Sequence, residues 1–121
     1  DTEVYFLKAS SYGTGTESSG VVEITKDIET DIKNKNVLLV EDIIDSGFTM
    51  KKVMQMLSLR EPKALELCSC LSKPDRRVCD IHIDYLGFEI PDKFVIGYGL
   101  DYAEKYRNLP YIGVLKEEIY K

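Results

Sequence analysis

The feature that most constrains the fold is the stretch NVLLVEDIIDSGFTM at residues 36–50. It begins with the apolar run 37–40, which predicts a short strand buried on both faces of a parallel sheet. A helical pattern with apolar residues at i, i+3, i+4 and i+7 follows the stretch. The residues at these positions are Met50, Val53, Met54 and Leu57. Strand, loop and helix in this order predict an α/β fold with a ligand site beyond the strand's carboxyl end.

The connection between strand and helix is acidic, small and polar. Gly47 lets the backbone approach a ligand, and Ser46 and Thr49 add hydroxyl donors. The N–H groups of the first helical turn point to the same place, so the loop is suited to bind a phosphate. Three carboxylates beside it would repel a bare phosphate unless they face sugar hydroxyls or a divalent metal. These are Glu41, Asp42 and Asp45, placed where the strand is expected to end. The pattern therefore indicates a phosphorylated sugar with Mg²⁺; the structural alternative is that Asp45 and Ser46 only cap the helix.

Composition places the chain among ordinary globular proteins. It has 121 residues, with 44% hydrophobic and 31% charged residues, so we expect one α/β domain over 1–121. The net charge of −5 and the lack of a long basic run argue against nucleic acid as a partner, and no apolar stretch approaches the ~20 residues that a membrane span needs. Three cysteines that form no CxxC pair make a zinc site improbable, and free, buried thiols with no signal peptide fit a cytoplasmic protein.

The remaining chain is predicted from its periodicity and its turn residues. A strand at 3–10 and a returning strand at 21–26 would form a long hairpin around the Gly-rich segment 11–20, which has the length of a lid. Pro62 would stop the central helix, and 27–35 would be a surface connection. Further strands are expected at 64–71, 81–85, 93–99 and 111–115, with a helical turn at 101–107.

Two stretches of the sequence resemble a known protein family. VLLVEDIIDSGFT resembles the phosphoribosyl-pyrophosphate (PRPP) binding motif of the type I phosphoribosyltransferases. The segment GFEIPDKFVIGYGLDYAEKYRNLPYIGVL, with residues 71–77 and the 11–12 loop, is similar to hypoxanthine-guanine phosphoribosyltransferases of the bacterial type. The resemblance covers essentially the whole chain. It implies the parallel-sheet core of the type I phosphoribosyltransferase fold with a β-hairpin flexible loop.

The resemblance implies a function in purine salvage. Such enzymes transfer the phosphoribosyl group from PRPP to N9 of hypoxanthine or guanine, which gives IMP or GMP plus pyrophosphate. Mg²⁺ assists the departure of pyrophosphate, and Asp45 would be the general base that takes the proton from purine N7. The implied partners are the small molecules PRPP, hypoxanthine, guanine, IMP, GMP and pyrophosphate. The resemblance also implies a dimer or tetramer of the chain, and it implies no binding to nucleic acid or to a membrane.

The resemblance also implies a role for particular residues. PRPP and its phosphates would be bound by Glu41, Asp42, Ser46, Gly47, Phe48, Thr49 and Arg107. The purine would be bound by Lys73, Phe94 and Val95; the metal by Asp101 with Glu41 and Asp42; and the flexible loop would contribute Ser11 and Tyr12. The role of Lys73 makes chemical sense, since an ammonium donates to a 6-oxo group but meets the 6-amino group of adenine donor to donor.

The resemblance further implies a region before this chain, with a strand and a helix. We therefore expect a domain that is incomplete at its N-terminus, with reduced stability and weak activity on its own. Two other functions stay open: a non-catalytic PRPP-binding regulator, and a phosphorelay receiver, which VLLVED also resembles. The receiver ranks low because no phospho-accepting Asp ends the strand at 64–71. A preference for xanthine also stays open.

Overall fold

A computed structural model describes residues 1–12 and 21–121, with the backbone alone at Tyr12. Within it the chain divides into two compact units, Asp1–Ile90 and Pro91–Lys121. The chain has the α/β architecture expected, with a parallel sheet in the first unit. The one-domain organisation stays a prediction.

The first unit begins with an antiparallel hairpin of β1 (Lys8–Tyr12) and β2 (Val21–Lys26). The hairpin is confirmed, but the predicted start of its first strand is wrong, because β1 begins at Lys8 rather than at residue 3. Val4 and Phe6, whose alternation suggested a strand, are exposed and pair with no strand among the described residues. The predicted lid falls largely on residues 13–20, which lie outside the described residues.

The central element is a three-stranded parallel sheet in the order β3-β4-β5. β3 (Asn36–Ile44) leads into α1 (Phe48–Ser58), β4 (Ala64–Ser72) follows, and β5 (Tyr85–Glu89) pairs with the other side of β4. The short 3₁₀ helix Pro74–Arg76 lies between β4 and β5. The strand predicted at 64–71 is confirmed within one residue at each end, and the predicted helix is confirmed, but it ends at Ser58 and so before Pro62.

Helix α1 covers one face of the hairpin and sheet. Val53 and Leu57 are buried together with Ile32, and the partly buried side chains packed on them come from both the hairpin and the sheet. Ile32 therefore contributes to the core, although its segment is predicted to be a surface connection. No helix in the described part of the chain is both long and apolar enough to cross a bilayer.

Strand β3 is longer and less buried than its sequence predicts. It runs through Glu41 and Asp42 to Ile44, so the two carboxylates are part of the strand rather than beyond its end. Leu38 and Val40 are 52% and 68% exposed, whereas Val37 and Leu39 pack on the helix side. Burial on both faces is therefore wrong, because β3 alternates like a strand covered on one face only.

The strand predicted at 81–85 is also wrong. Its apolar alternation lies before β5, and pairing with β4 starts only at Tyr85 opposite Cys68. Asp84 sets this start, because its N–H donates to the Leu67 carbonyl at 2.9 Å while its carboxylate accepts from the Leu67 N–H at 2.8 Å. The cysteines are free, but Cys70 is exposed rather than buried as expected.

The second unit contains a small antiparallel pair, β6 (Val95–Ile96) and β7 (Gly113–Val114), and a final turn of helix, α2 (Glu117–Tyr120). The strands predicted at 93–99 and 111–115 exist but are shorter. The helical turn predicted at 101–107 is wrong: Ala103, Glu104 and Tyr106 have positive φ, and Tyr102 bridges to Lys105. The Asp101 carboxylate accepts from the Glu104 N–H at 2.9 Å, which favours this tight turn over a helix.

Candidate functional site

A cavity of about 350 Å³ lies where β3 ends and α1 begins. Strand β3 supplies its floor, and the first turn of α1 supplies one wall. The predicted site residues that line it are Ser11, Glu41, Asp45, Ser46, Gly47 and Thr49. The first unit thus brings the predicted base, one predicted PRPP carboxylate and most of the phosphate loop into one cavity.

The loop into α1 has the form that an anion site needs. Gly47 has φ 82° and is the N-cap of α1, and no side chain caps the helix. The Ser46 hydroxyl accepts from the Phe48 N–H at 3.2 Å, so it supports the turn, while Asp45 does not cap the helix. The alternative that Asp45 and Ser46 only cap the helix therefore fails for Asp45 and applies to Ser46 only in part. The helix N-terminus remains open toward the cavity, where its N–H groups and its dipole favour an anion.

Asp45 and Lys73 form an ion pair at the edge of the cavity. The Lys73 Nζ lies 3.7 Å from the Asp45 Oδ1, and the Lys73 N–H donates to the Ile44 carbonyl at 2.9 Å. The Lys73 side chain is only 12% exposed, whereas that of Asp45 is 48% exposed. The parallel pairing of β3 with β4 explains why the two side chains are close. Ile44 and Ser72 lie opposite each other at the strand ends, and Asp45 and Lys73 are the residues that follow them.

Glu41 and Asp42 point to opposite faces of β3, because side chains alternate along a strand. Glu41 lines the cavity, while Asp42 is exposed and outside its lining. Burial raises the pKa of Glu41 to about 7, and the hydrogen bond and negative charge of the neighbouring Asp42 add to the rise. A pKa in this range lets Glu41 gain or lose its proton near neutral pH.

Four predicted site residues belong to the second unit: Phe94, Val95, Asp101 and Arg107. Within that unit the Arg107 guanidinium donates to the Gly99 carbonyl at 2.8 Å and lies 3.4 Å from the Asp101 carboxylate. The Phe94 ring packs against Tyr102 and Tyr120. The predicted metal ligand and the predicted pyrophosphate ligand are therefore neighbours, and Phe94 is part of a local aromatic group.

Arg76 and Arg77 are functional candidates that the motifs in the sequence do not identify. Arg76 lines the cavity, and Arg77 packs against Gly47 from behind the loop. Both arginines belong to the cluster SKPDRR directly after β4, of which only Lys73 is predicted to bind a ligand. The place of this cluster at the carboxyl end of the strand next to β3 could have identified them.

Comparison with known proteins identifies relatives of this arrangement. The family described as "Phosphoribosyl transferase domain" matches residues 1–103. The hypoxanthine phosphoribosyltransferase of Escherichia coli (strain K12) is 57% identical over 111 residues, which cover 92% of this chain and 62% of that protein. The hypoxanthine-guanine phosphoribosyltransferase of Bacillus subtilis (strain 168) is 50% identical over 119 residues, covering 98% and 66%.

Solved structures agree with these sequence matches. A hypoxanthine phosphoribosyltransferase from Staphylococcus aureus superposes with a TM-score of 0.89 at 52% identity, over 97% of this chain and 64% of that chain. A hypoxanthine-guanine phosphoribosyltransferase from Bacillus anthracis, with a HEPES molecule in the active site, gives a TM-score of 0.85 at 51% identity, over 93% and 66%. The chain thus spans just under two thirds of the length of such relatives.

Proposed function

The chain belongs to the phosphoribosyl transferase family, and from that premise we propose that it provides the PRPP site and the purine-activating groups of a hypoxanthine-guanine phosphoribosyltransferase. The reaction transfers the phosphoribosyl group to N9 of hypoxanthine or guanine and releases pyrophosphate, with IMP or GMP as the product. The observation that carries the proposal is the Asp45–Lys73 pair, 3.7 Å apart, at the edge of the phosphate cavity.

The pair matches one edge of an oxopurine. In guanine, N7 and O6 lie side by side on the same edge of the base. The Asp45 carboxylate can therefore take the proton of N7 while the Lys73 ammonium donates to O6. Adenine has an amino group at C6, which would leave the largely buried Lys73 ammonium facing another donor, and such mismatches give strong discrimination.

The phosphate of the sugar has its own place in this scheme. The loop Ser46–Thr49 offers the open N-terminus of α1, and Gly47 adopts the left-handed conformation from which the helix starts. Backbone N–H groups and the helix dipole bind a phosphate without any cationic side chain. We assign the 5′-phosphate of PRPP to this loop, which leaves Glu41 and Asp42 for the ribose hydroxyls.

The carboxylates fit a divalent cation that is shared with the substrate. Mg²⁺ is usually held by one or two carboxylates together with substrate phosphates, rather than by an all-protein cage. The described residues contain no preformed cluster of three or more such side chains. We propose Glu41, Asp42 and Asp101 as the carboxylates available to the ion, which would supply the positive charge that neutralises pyrophosphate.

The chain's own residues then act on the purine and the sugar. Asp45 accepts the N7 proton while N9 forms its bond to the anomeric carbon, and the bond from that carbon to pyrophosphate breaks. Positive charge develops on the sugar in this step, and the nearby carboxylates stabilise it. In this proposal Phe94 stacks on the purine, Val95 offers backbone groups to it, and Arg107 contacts pyrophosphate. Ser11 and Tyr12 belong to the loop that excludes water.

The test is Mg²⁺-dependent release of pyrophosphate from PRPP with hypoxanthine, guanine, xanthine or adenine offered separately. It is to be run on this chain and on any longer protein that contains it. We expect release with the oxopurines but not with adenine, and a loss of about 10²–10⁴-fold in Asp45→Asn, the usual contribution of a general base. Asp75→Asn is the matched control, because Asp75 is an exposed carboxylate in the neighbouring 3₁₀ helix and does not line the cavity.

Binding of PRPP without pyrophosphate release from any base would favour the regulator instead and would remove the catalytic role of Asp45. The cytoplasmic location and the dimer or tetramer stay predictions. Size-exclusion chromatography with light scattering tests the assembly.

A further inference from the structure

Arg77 lies behind the phosphate loop and is tied to the end of β4. Its N–H donates to the Pro74 carbonyl at 3.1 Å, which closes the 3₁₀ helix. Its guanidinium Nη2 donates to the hydroxyl of Ser72, the last residue of β4, whose side chain is buried. The position of the guanidinium is therefore fixed by the sheet.

The same side chain packs directly against Gly47. A Cβ placed on Gly47 would lie 3.0 Å from the Arg77 Cδ, 3.1 Å from the Ile81 Cγ2 and 3.4 Å from the Arg77 Nη1. Arg77, together with Ile81, thus fills the space that a side chain at position 47 would need. The residues after it hold the neighbouring loop residue, since the Val78 N–H donates to the Ser46 carbonyl at 3.0 Å and the Cys79 thiol lies 3.8 Å from the same oxygen.

The second guanidinium nitrogen is unusual. Arg77 Nη1 is buried and has no hydrogen-bond partner among residues 1–12 and 21–121. A buried charged donor without a partner is costly, and the hydrogen bond to Ser72 is made by the other nitrogen, Nη2. The positive charge therefore stays directly behind a loop whose cavity is lined by the carboxylates of Glu41 and Asp45.

We propose that Arg77 is a positioning residue of the phosphate site. It holds Gly47 in its left-handed conformation by packing and keeps a positive charge behind the loop, which offsets the carboxylates that would repel a phosphate. It does not line the cavity and so acts through Gly47 rather than by touching the ligand. The inference rests on the proposed function, because the anion is taken to be the 5′-phosphate of PRPP.

The experiment compares Arg77→Gln with wild type by titration with PRPP in the presence of Mg²⁺. The readouts are the dissociation constant, the ¹⁵N–¹H resonance of Gly47 and the melting temperature. We expect binding roughly tenfold weaker and a displaced Gly47 resonance, because the variant removes a charge and a charge-assisted hydrogen bond. An arginine with a merely structural role would lower the melting temperature but leave the affinity of the folded protein unchanged.

Arg60→Gln is the matched control. Arg60 is also an arginine of the first unit, but it lies beyond the C-terminal end of α1, where it forms an ion pair with Asp27 at 2.6 Å. Its loss should change the melting temperature without changing the dissociation constant or the Gly47 resonance. Equal weakening in both variants would mean that net charge alone acts, and the proposal would fail.

Two milder variants keep the test decisive if Arg77→Gln does not fold. Ser72→Ala removes the acceptor that fixes the guanidinium, and Arg77→Lys keeps a positive charge but cannot form the same fork. Each should weaken PRPP binding by about two- to fivefold; unchanged affinity in both would overturn the inference.

If wild type itself does not bind PRPP, the proposed function fails and this inference with it. If wild type binds and Arg77→Gln binds equally well, only the inference fails.

Discussion

Two predicted site carboxylates, Asp45 and Asp101, are held in different ways. Asp45 follows β3 and meets Lys73 from the neighbouring strand, so their distance of 3.7 Å depends on the sheet. Asp101 accepts from the Glu104 N–H and lies 3.4 Å from Arg107, so these two partners are within six residues of it along the chain. The geometry of Asp45 therefore depends on the fold of the first unit, whereas that of Asp101 is set by one turn.

The largest expected effect comes from removing the partner of Asp45. Lys73→Met keeps an unbranched side chain but deletes the donor for the 6-oxo group of the purine. We expect kcat/KM for hypoxanthine and guanine to fall by about 10²-fold or more, because the base loses its specific polar contact. Steady-state kinetics with varied base concentration measures it. Lys105→Met, in the turn that holds Asp101, should change the same constant far less; equal losses would show that the two carboxylates do not differ as described.

A core substitution tests whether the two regions respond separately. Leu57 is 2% exposed under α1, and Leu57→Ala should lower the free energy of unfolding by about 2–5 kcal/mol. Urea unfolding measures the loss, and NMR spectra of the folded variant locate it. Resonances of residues 45–49 should shift while those of 101–107 stay in place. A shift in both groups would contradict the local character of the Asp101 turn.

This difference explains what the sequence could and could not reveal. The helix α1 and the strands β3 and β4 follow from apolar periodicity, and the meeting of Asp45 with Lys73 follows from parallel strands that end at one edge. The turn at 101–107 mimics a helix, since Tyr102 and Tyr106 have helical spacing. Its conformation is decided by one carboxylate-to-backbone hydrogen bond and by positive φ angles, which periodicity does not report.

Arg77 shows a second limit of sequence reasoning. Its contact with Gly47 joins residues thirty positions apart, and only the three-dimensional packing of the loop against the end of β4 reveals it. Strand β5 was misplaced for a related reason. The alternation at 81–85 was real, but the hydrogen bonds of Asp84 with Leu67 determine where pairing begins.

Two glycines with similar backbone angles allow a finer comparison. Gly47 has φ 82° and contacts Arg77, while Gly99 has φ 97° and open space within 4 Å of an added Cβ. Both alanine variants bear the strain of a left-handed residue, about 1–2 kcal/mol. Gly47→Ala must also displace Arg77, so it should be the more destabilised of the two in urea and should bind PRPP less tightly. Equal destabilisation would mean that the Arg77 contact yields without cost.

The last prediction concerns the pH dependence of stability. Folding raises the pKa of Glu41 from 4.5 to about 7, with burial as the largest cause. The native state therefore holds this proton more tightly than the unfolded state, and the free energy of unfolding should fall as pH rises between about 4.5 and 7. Urea unfolding across this range measures the slope. Glu41→Gln cannot lose a proton and should flatten the slope, whereas Glu23→Gln, at an exposed position of β2, should keep it. If the slope is unchanged in Glu41→Gln, the cavity does not disfavour the ionised carboxylate. The surroundings of Glu41 would then affect a carboxylate no more than the exposed turn around Asp101 does.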